Sequence, residues 1–214
     1  MKLRPVLCAA LIAAVSLPLL AMSSLQSDKK ATGEKSKDSA QSAMAEGMKR
    51  WQEACTPGEH HKRLAELIGK WDIDTRMFAG GPDAPPSSEK GTAEFKWLLD
   101  GRWLQQEWQG TMMGRPIKGF GLTGYDNYKK KYVSSWIDSM TTTMNTAEGN
   151  FDQSGKVMLS FGFLDEPITG EHDKCVKYVW RFVNPDKMVF EIHDLPIGET
   201  NTKVIEIVYT RQKS

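Results

Sequence analysis

The chain has 214 residues, of which 28 are basic and 27 acidic, and its net charge of +1 gives no overall electrostatic attraction to nucleic acid or to anionic membranes. The first third is too polar and irregular to build a second hydrophobic core, so one folded domain is expected. Seven Trp, eight Phe and five Tyr supply enough bulky side chains for an all-β core around a cavity.

The N-terminal segment has the layout of a secretory signal peptide. Two basic residues precede an apolar run over residues 6–20, and small residues follow it. We expect residues 1–22 to be removed, with cleavage after Ala21 or Ser23, and the mature protein to be secreted or periplasmic in a bacterium. An uncleaved anchor helix is disfavoured because the run is short for a membrane span and contains Pro18. No stable membrane span is therefore expected once the signal is removed.

Two further segments precede the predicted barrel. Residues 23–43 are rich in Ser, Lys, Asp, Gln and Ala, a composition that cannot bury enough surface to offset its ordering entropy, so they are predicted to be a disordered linker. Residues 43–54 are predicted to form a short helix packed against the barrel or its mouth, because apolar side chains recur there at helical spacing: Met44, Met48 and Trp51. The folded domain is expected over residues 44–214.

A short amphipathic helix then leads directly into the first strand. Pro57 and Gly58 open it, and its apolar stripe consists of Leu64, Leu67 and Ile68. Gly69 ends the helix. From Trp71 the period changes to two, which predicts a strand with one face in a core.

The remaining sequence predicts about ten strands joined mostly by short turns. Residues 79–87 are dense in Gly and Pro and form a loop, while Asp100-Gly101 between two alternating segments predicts a tight hairpin. The later strands are expected at residues 117–125, 132–137, 141–147, 157–163, 175–183, 188–193 and 202–211. Because no crossover helices separate them, the fold class is all-β and the strands form an antiparallel meander. Closing it into an up-and-down barrel removes its edges and leaves room for a small ligand.

Two of these strands have unusual patterns. Glycines inside a strand indicate sharp curvature or close approach of another group, and one strand contains Gly119, Gly121 and Gly124. In another, an apolar face of Val157, Leu159, Phe161 and Phe163 alternates with Met158, Ser160 and Gly162.

Several motifs occur in order over residues 57–211. They are Pro57-Gly58-Glu59-His60-His61 with Leu64, Leu67, Gly69 and Trp71; Leu99-Asp100-Gly101-Arg102-Trp103-Leu104; Gly119-Phe120-Gly121-Leu122-Thr123-Gly124-Tyr125-Asp126; Trp136-Ile137-Asp138-Ser139; and Tyr209-Thr210-Arg211. This ordered set resembles the DUF1579 family of uncharacterised, often secreted bacterial proteins. The resemblance implies a calycin-like barrel of about ten strands with a short N-terminal helix. It brings no accepted activity and therefore no catalytic residues.

Two other barrel groups share part of this pattern. Gly69-x-Trp71 on the first strand, with an arginine ending the last strand, is similar to the lipocalin arrangement, which implies that the Arg211 guanidinium lies over the Trp71 indole. The nitrobindin group of haem barrels also opens with Gly-x-Trp, but it continues with glycines where this chain has Asp72, Ile73 and Asp74. His193 shares its strand phase with Glu191 and is expected to face solvent, so no stoichiometric haem is predicted.

The leading functional hypothesis is a barrel that binds a small apolar or amphipathic ligand. The candidate ligand-binding residues are the aromatic side chains Trp97, Trp108, Tyr125, Trp136, Tyr178 and Trp180. Alternatives are a haem-binding barrel, a barrel enzyme using cavity carboxylates, and an interaction module with a filled core. Common zinc, serine-hydrolase and nucleotide motifs are absent, and no metal site is predicted.

The two cysteines that follow the signal segment have two possible states. Cys55 and Cys175 form a disulfide if they come within bonding range, which an oxidising compartment would preserve. Otherwise they are two free thiols.

Overall fold

The computed structural model describes residues 30–78, 85–167, 169–195 and 202–213. The predicted signal peptide, residues 23–29 of the predicted linker and most of the predicted 79–87 loop lie outside these residues. The described helices are α1 (Lys30–Cys55), α2 (Glu59–Arg63) and a 3-10 helix (Leu64–Leu67). The chain divides into two units, Met1–Gly47 and Met48–Ser214, and the second contains all the strands.

Ten strands within the described residues close into one antiparallel barrel in which every strand pairs with its sequence neighbour and β1 pairs with β10. Their bounds are β1 (Gly69–Met77), β2 (Ser87–Leu98), β3 (Trp103–Met112), β4 (Arg115–Asp126), β5 (Lys131–Asp138), β6 (Asn145–Phe151), β7 (Val157–Glu166), β8 (Glu171–Asn184), β9 (Lys187–Asp194) and β10 (Thr202–Arg211). The predicted up-and-down barrel is confirmed.

The helical segment before the barrel is longer than predicted. α1 begins at Lys30 instead of near Ala43, so residues 30–43 of the predicted disordered linker are helical. Ala, Lys, Glu, Gln and Met are strong helix formers even without an apolar stripe, and the sequence prediction gave weight only to the lack of buried surface.

The hairpin between β2 and β3 and the start of β6 show how local side chains set strand limits. Leu99, Asp100 and Gly101 all have positive φ, as a tight right-twisting hairpin requires. Strand β6 begins at Asn145, later than predicted, because the Asp138 carboxylate accepts hydrogen bonds from the backbone N–H groups of Met140 and Thr141 and holds the chain in a turn.

The glycines of β4 let two tryptophan rings approach its backbone. A Cβ at Gly119 would lie 2.1 Å from Cζ2 of Trp136, and one at Gly124 would lie 2.7 Å from Cε3 of Trp103. Paired residues of adjacent strands share a face, so Trp136 and Gly119 face the interior and Trp103 and Gly124 face outward. The glycines therefore mark close approach on both faces of the strand.

Cys55 and Cys175, the two cysteines among the described residues, are free thiols. Cys55 ends α1, where its carbonyl accepts a hydrogen bond from Arg102 in the β2–β3 turn. Cys175 lies near the start of β8, at the end of the barrel opposite the β2–β3 turn. Nine residues separate it from Asn184, which ends β8 on the side of that turn. At about 3.3 Å per residue that separation is roughly 30 Å, far beyond disulfide range. The disulfide alternative is therefore wrong for this conformation.

Candidate functional site

One end of the barrel, here called the closed end, is covered by α2 and the 3-10 helix. Leu64 and Leu67 are buried in the barrel core, and the Trp71 indole N–H donates to the Leu67 carbonyl at 2.8 Å. The Arg211 guanidinium lies 4.1 Å from the centre of the Trp71 ring, as predicted. Its Nη1 and Nη2 also donate to the carbonyls of Ile68 and Glu66 at 2.6 and 2.7 Å. Arg211 therefore links the helical cap to the last strand, β10.

The adjacent histidines of α2 belong to this cap. His60 stacks on Tyr125 with ring centroids 4.1 Å apart, and its carbonyl accepts a hydrogen bond from the Tyr132 hydroxyl at 3.1 Å. Nδ1 of His61 accepts from the Gly58 backbone N–H at 3.1 Å, and burial lowers the pKa of His61. Burial also raises the pKa of Tyr132 to about 12. These side chains pack and cap the closed end of the barrel.

Aromatic side chains fill the interior above the cap. Trp180 packs against Phe95, Phe190 and Tyr209, with ring centroids 4.5 to 6.4 Å apart. The Gln106 side-chain amide donates to the Tyr209 hydroxyl at 3.1 Å, which crosses the interior from β3 to β10. This part of the barrel is a packed core.

Several inward-facing side chains nearer the other end of the barrel are only partly buried, while Ile117 and Val176 at that end are buried. We call this region the upper lumen and define it by Met77, Glu89, Met112, Trp136, Tyr178, Ile192 and Ile205. Tyr178 stacks on Phe190 with an interplanar angle of 8°, and burial raises its pKa to about 12, so its hydroxyl keeps its proton. The upper lumen therefore combines partly exposed apolar and aromatic surface with few charges.

Ion pairs mark the rim of the upper lumen. Lys174 Nζ lies 2.9 Å from the Asp194 carboxylate and 3.2 Å from that of Glu171. Burial alone would lower the pKa of Lys174, but the hydrogen bonds and charges of the two carboxylates outweigh it and raise the pKa. The lysine is therefore a cation paired with two carboxylates.

Three buried polar atoms on the wall of the barrel have no hydrogen-bond partner in the described part of the protein. They are Oγ1 of Thr75, Oε2 of Glu89 and Nε1 of Trp108. Only Trp108 was among the sequence candidates. Thr75 shares the inward phase of Trp71 and Ile73, so alternation alone could have identified it, but no local signal marks Glu89.

The six predicted aromatic residues fall in three places. Trp108 and Trp180 are in the core, and Trp136 and Tyr178 reach the upper lumen. Tyr125 lies under α2, and Trp97 is 37 % exposed at the closed end, beyond the residue of β2 that pairs with the start of β1. Tyr125 and Trp97 therefore do not line the upper lumen, because the cap occupies their end of the barrel.

None of the four histidines is placed as an axial haem ligand. His193 faces outward on β9, where its Nε2 lies 3.3 Å from the Glu191 carboxylate, and His172 is exposed beside Asp165. His60 and His61 are held in the cap. No group of three or more potential metal-ligating side chains occurs among the described residues. The residues present do not fit a haem bound through histidine.

Two grooves lie on the outer wall of the barrel. The larger, of about 550 Å³, runs between outward-facing residues of β1, β2, β9 and β10, several of which are already ion-paired, as Lys90 is with Asp74 at 2.5 Å. The smaller, of about 260 Å³, is mostly apolar and includes Leu98, Leu99, Trp103 and Leu122. These grooves are separate from the upper lumen and are alternative binding surfaces.

These features define a closed, ten-stranded antiparallel barrel with a helical cap at one end. The chain belongs to the family described as "Protein of unknown function (DUF1579)", whose profile matches residues 56–211. No curated protein matches the sequence. Among the described helices, none is long and apolar enough to cross a membrane.

Solved structures share the fold at low sequence identity. Rv2717c from M. tuberculosis is 14 % identical, with a TM-score of 0.53 over 74 % of this chain and 100 % of that one. The S-type phycobiliprotein lyase CPES from Guillardia theta is 11 % identical, with a TM-score of 0.51 over 74 % of this chain and 99 % of that one. At these identities the likeness establishes the barrel alone.

Proposed function

We propose that this protein binds a small apolar or amphipathic ligand in the upper lumen, and that it does so outside the cytoplasm after its signal peptide is removed. The observation that carries the proposal is the contrast along the barrel axis. The inward side chains of Trp71 and Tyr209 are fully buried, whereas those of Tyr178 and Ile192 are partly exposed.

The chemistry of the upper lumen favours binding over catalysis. Its rim lysine is paired with two carboxylates, and its aromatic rings are packed in fixed orientations. Ligand sites are typically concave and mostly apolar, with a few polar groups that orient the ligand. The same barrel architecture occurs in the solved S-type phycobiliprotein lyase, and this likeness supports an internal site.

Native mass spectrometry of the protein purified from its own source, before and after denaturation, tests the proposal. We expect a bound small molecule that is released on denaturation, and a chain mass that begins after residue 21 to 23. The matched variants are Ile205→Arg, which places a guanidinium in the upper lumen, and Leu122→Arg, which places one in the smaller outer groove.

The ligand should be lost from Ile205→Arg and kept by Leu122→Arg. An apo mass for the wild type, with no extractable molecule, contradicts ligand binding. A ligand lost only from Leu122→Arg would move the site to the outer wall. A chain retaining residues 1–22 contradicts the processing step alone.

A further inference from the structure

The three unpartnered polar atoms lie on consecutive strands and belong to inward-facing side chains. Thr75 on β1 is directly opposite Glu89 on β2 in the strand register. Trp108 on β3 is opposite Ala93 of β2. Thr75 is 2 % exposed and Trp108 4 % exposed. Buried polar atoms are nearly always hydrogen-bonded, so an unpaired set on one wall calls for a partner.

The backbones of β2 and β3 approach each other closely between these side chains. Gly91 and Gly110 are register partners and lie between the level of Glu89 and that of Trp108. A Cβ at Gly91 would be 2.5 Å from the Gln109 carbonyl oxygen, and one at Gly110 would be 2.9 Å from that of Lys90. Neither position can carry a side chain without a shift, and the Trp108 ring lies over Gly110, where a Cβ would be 3.1 Å from its Cη2, so this ring reaches along the wall towards the level of Glu89.

The Glu89 carboxylate is held in place by its other oxygen. Oε1 accepts a hydrogen bond from the Gly114 backbone N–H in the β3–β4 turn at 3.2 Å, which leaves Oε2 buried and unpaired. The wall thus presents one fixed acceptor from Glu89, one fixed donor from the Trp108 indole, and a Thr75 hydroxyl that can do either.

We propose that Thr75, Glu89 and Trp108 form a polar subsite that takes an uncharged head group able both to donate and to accept hydrogen bonds, such as a hydroxyl or a carboxamide. A hydroxyl oxygen would accept from Trp108 while its hydrogen is donated to Glu89. An anionic head would meet the Glu89 carboxylate, and a purely apolar ligand would leave all three atoms unpaired. This inference rests on the proposed function and specifies the ligand that the upper lumen takes.

Isothermal titration calorimetry with three naphthalene probes tests the subsite. The probes are 2-naphthol, which donates and accepts, 2-methoxynaphthalene, which only accepts, and anionic 2-naphthoate. The variants are Thr75→Val, which removes the hydroxyl, Thr75→Ser, which keeps it, and Trp108→Phe, which removes the indole N–H. Thermal unfolding of each variant shows that it is folded.

We expect 2-naphthol to bind the wild type about tenfold more tightly than either other probe. Thr75→Val and Trp108→Phe should abolish that preference, while Thr75→Ser retains it. Thr75→Val should also unfold at a higher temperature than the wild type, because it removes a buried hydroxyl that has no partner in the protein.

Each contrary result has a distinct meaning. Equal binding of 2-naphthol and 2-methoxynaphthalene, unchanged in Thr75→Val, overturns the subsite and means that water alone meets these atoms, while the ligand-binding function stands. Failure of all three probes to bind overturns the subsite, and if purified protein also carries no molecule, the proposed function fails with it.

Discussion

Arg211 is the residue that connects the last strand to the cap, since its guanidinium reaches the Trp71 ring and the carbonyls of Glu66, Ile68 and Pro185. A cation–π contact contributes about 0.5–2 kcal/mol, and hydrogen bonds from a charged donor contribute about 1.5–3 kcal/mol each at most. The contact could be predicted from sequence because a closed meander must pair its first and last strands.

Arg211→Ala is therefore expected to lower the free energy of unfolding by about 2–4 kcal/mol. Urea denaturation measures this change. Arg211→Lys is the matched variant, because it keeps the charge but loses the planar fork, and it should recover less than half of the loss. A change below about 0.5 kcal/mol for Arg211→Ala would show that the cap is held without it.

His61 should make the stability of the cap depend on pH. Burial lowers its pKa in the folded protein below the ordinary value of 6.5, so the unfolded chain takes up a proton first as the pH falls. The unfolded state then binds more protons, and stability decreases below about pH 6.5, with a slope of at most about 1.4 kcal/mol per pH unit for one group.

Thermal unfolding at pH 7.5 and pH 5.5 checks this expectation with His61→Gln as the non-titrating control. The wild type should lose more stability than the variant between the two pH values. Equal losses would assign the pH dependence to other groups.

Among the strands, β7 shows where a pattern identifies an element but not its orientation. Its apolar face points outward, where Phe161 and Phe163 are 51 % and 61 % exposed, and Met158 on the opposite face is 5 % exposed. The register with β6 and β8 decides this, because Met158 pairs with Phe151 and Trp180, both of which face inward. The alternation of apolar and polar residues within one strand carries no information about such long-range pairing.

Substitutions on the two faces of β7 should have opposite outcomes. Phe161→Thr is expected to change the free energy of unfolding by no more than about 0.5 kcal/mol, whereas Met158→Ala should lower it by about 2–5 kcal/mol. Urea denaturation of both variants decides the matter. A larger loss for Phe161→Thr than for Met158→Ala would mean that Phe161 faces the interior of the barrel and Met158 faces solvent.

The helices show a similar division between local and tertiary information. The cap was predictable because Leu64 and Leu67 recur at helical spacing and Gly69 stops the helix at a positive φ. The full length of α1 was not, because a polar helix has no apolar stripe by which to recognise it.

For the whole molecule, strand count and connectivity followed from period-two alternation and short turns, and closure followed from the need to pair edge strands. The location of the candidate site did not follow. Which part of the interior is filled depends on how Phe95, Trp180 and Tyr209 meet across the barrel, and these residues lie on strands far apart in sequence. Likewise, Glu89 can be assigned to the candidate site only once its pairing with Thr75 in the strand register is known.

A ligand is expected to enter the upper lumen and not the outer grooves, and the positions of the tryptophans allow a direct test. ¹⁹F NMR of protein labelled with 5-fluorotryptophan, titrated with 2-naphthol, reports on each indole once single Trp→Phe variants have assigned the signals. We predict saturable shifts at Trp108 and Trp136, with Trp103 in the smaller outer groove and Trp97 at the closed end unchanged. Saturable shifts at Trp103 with Trp108 and Trp136 unchanged would contradict the account.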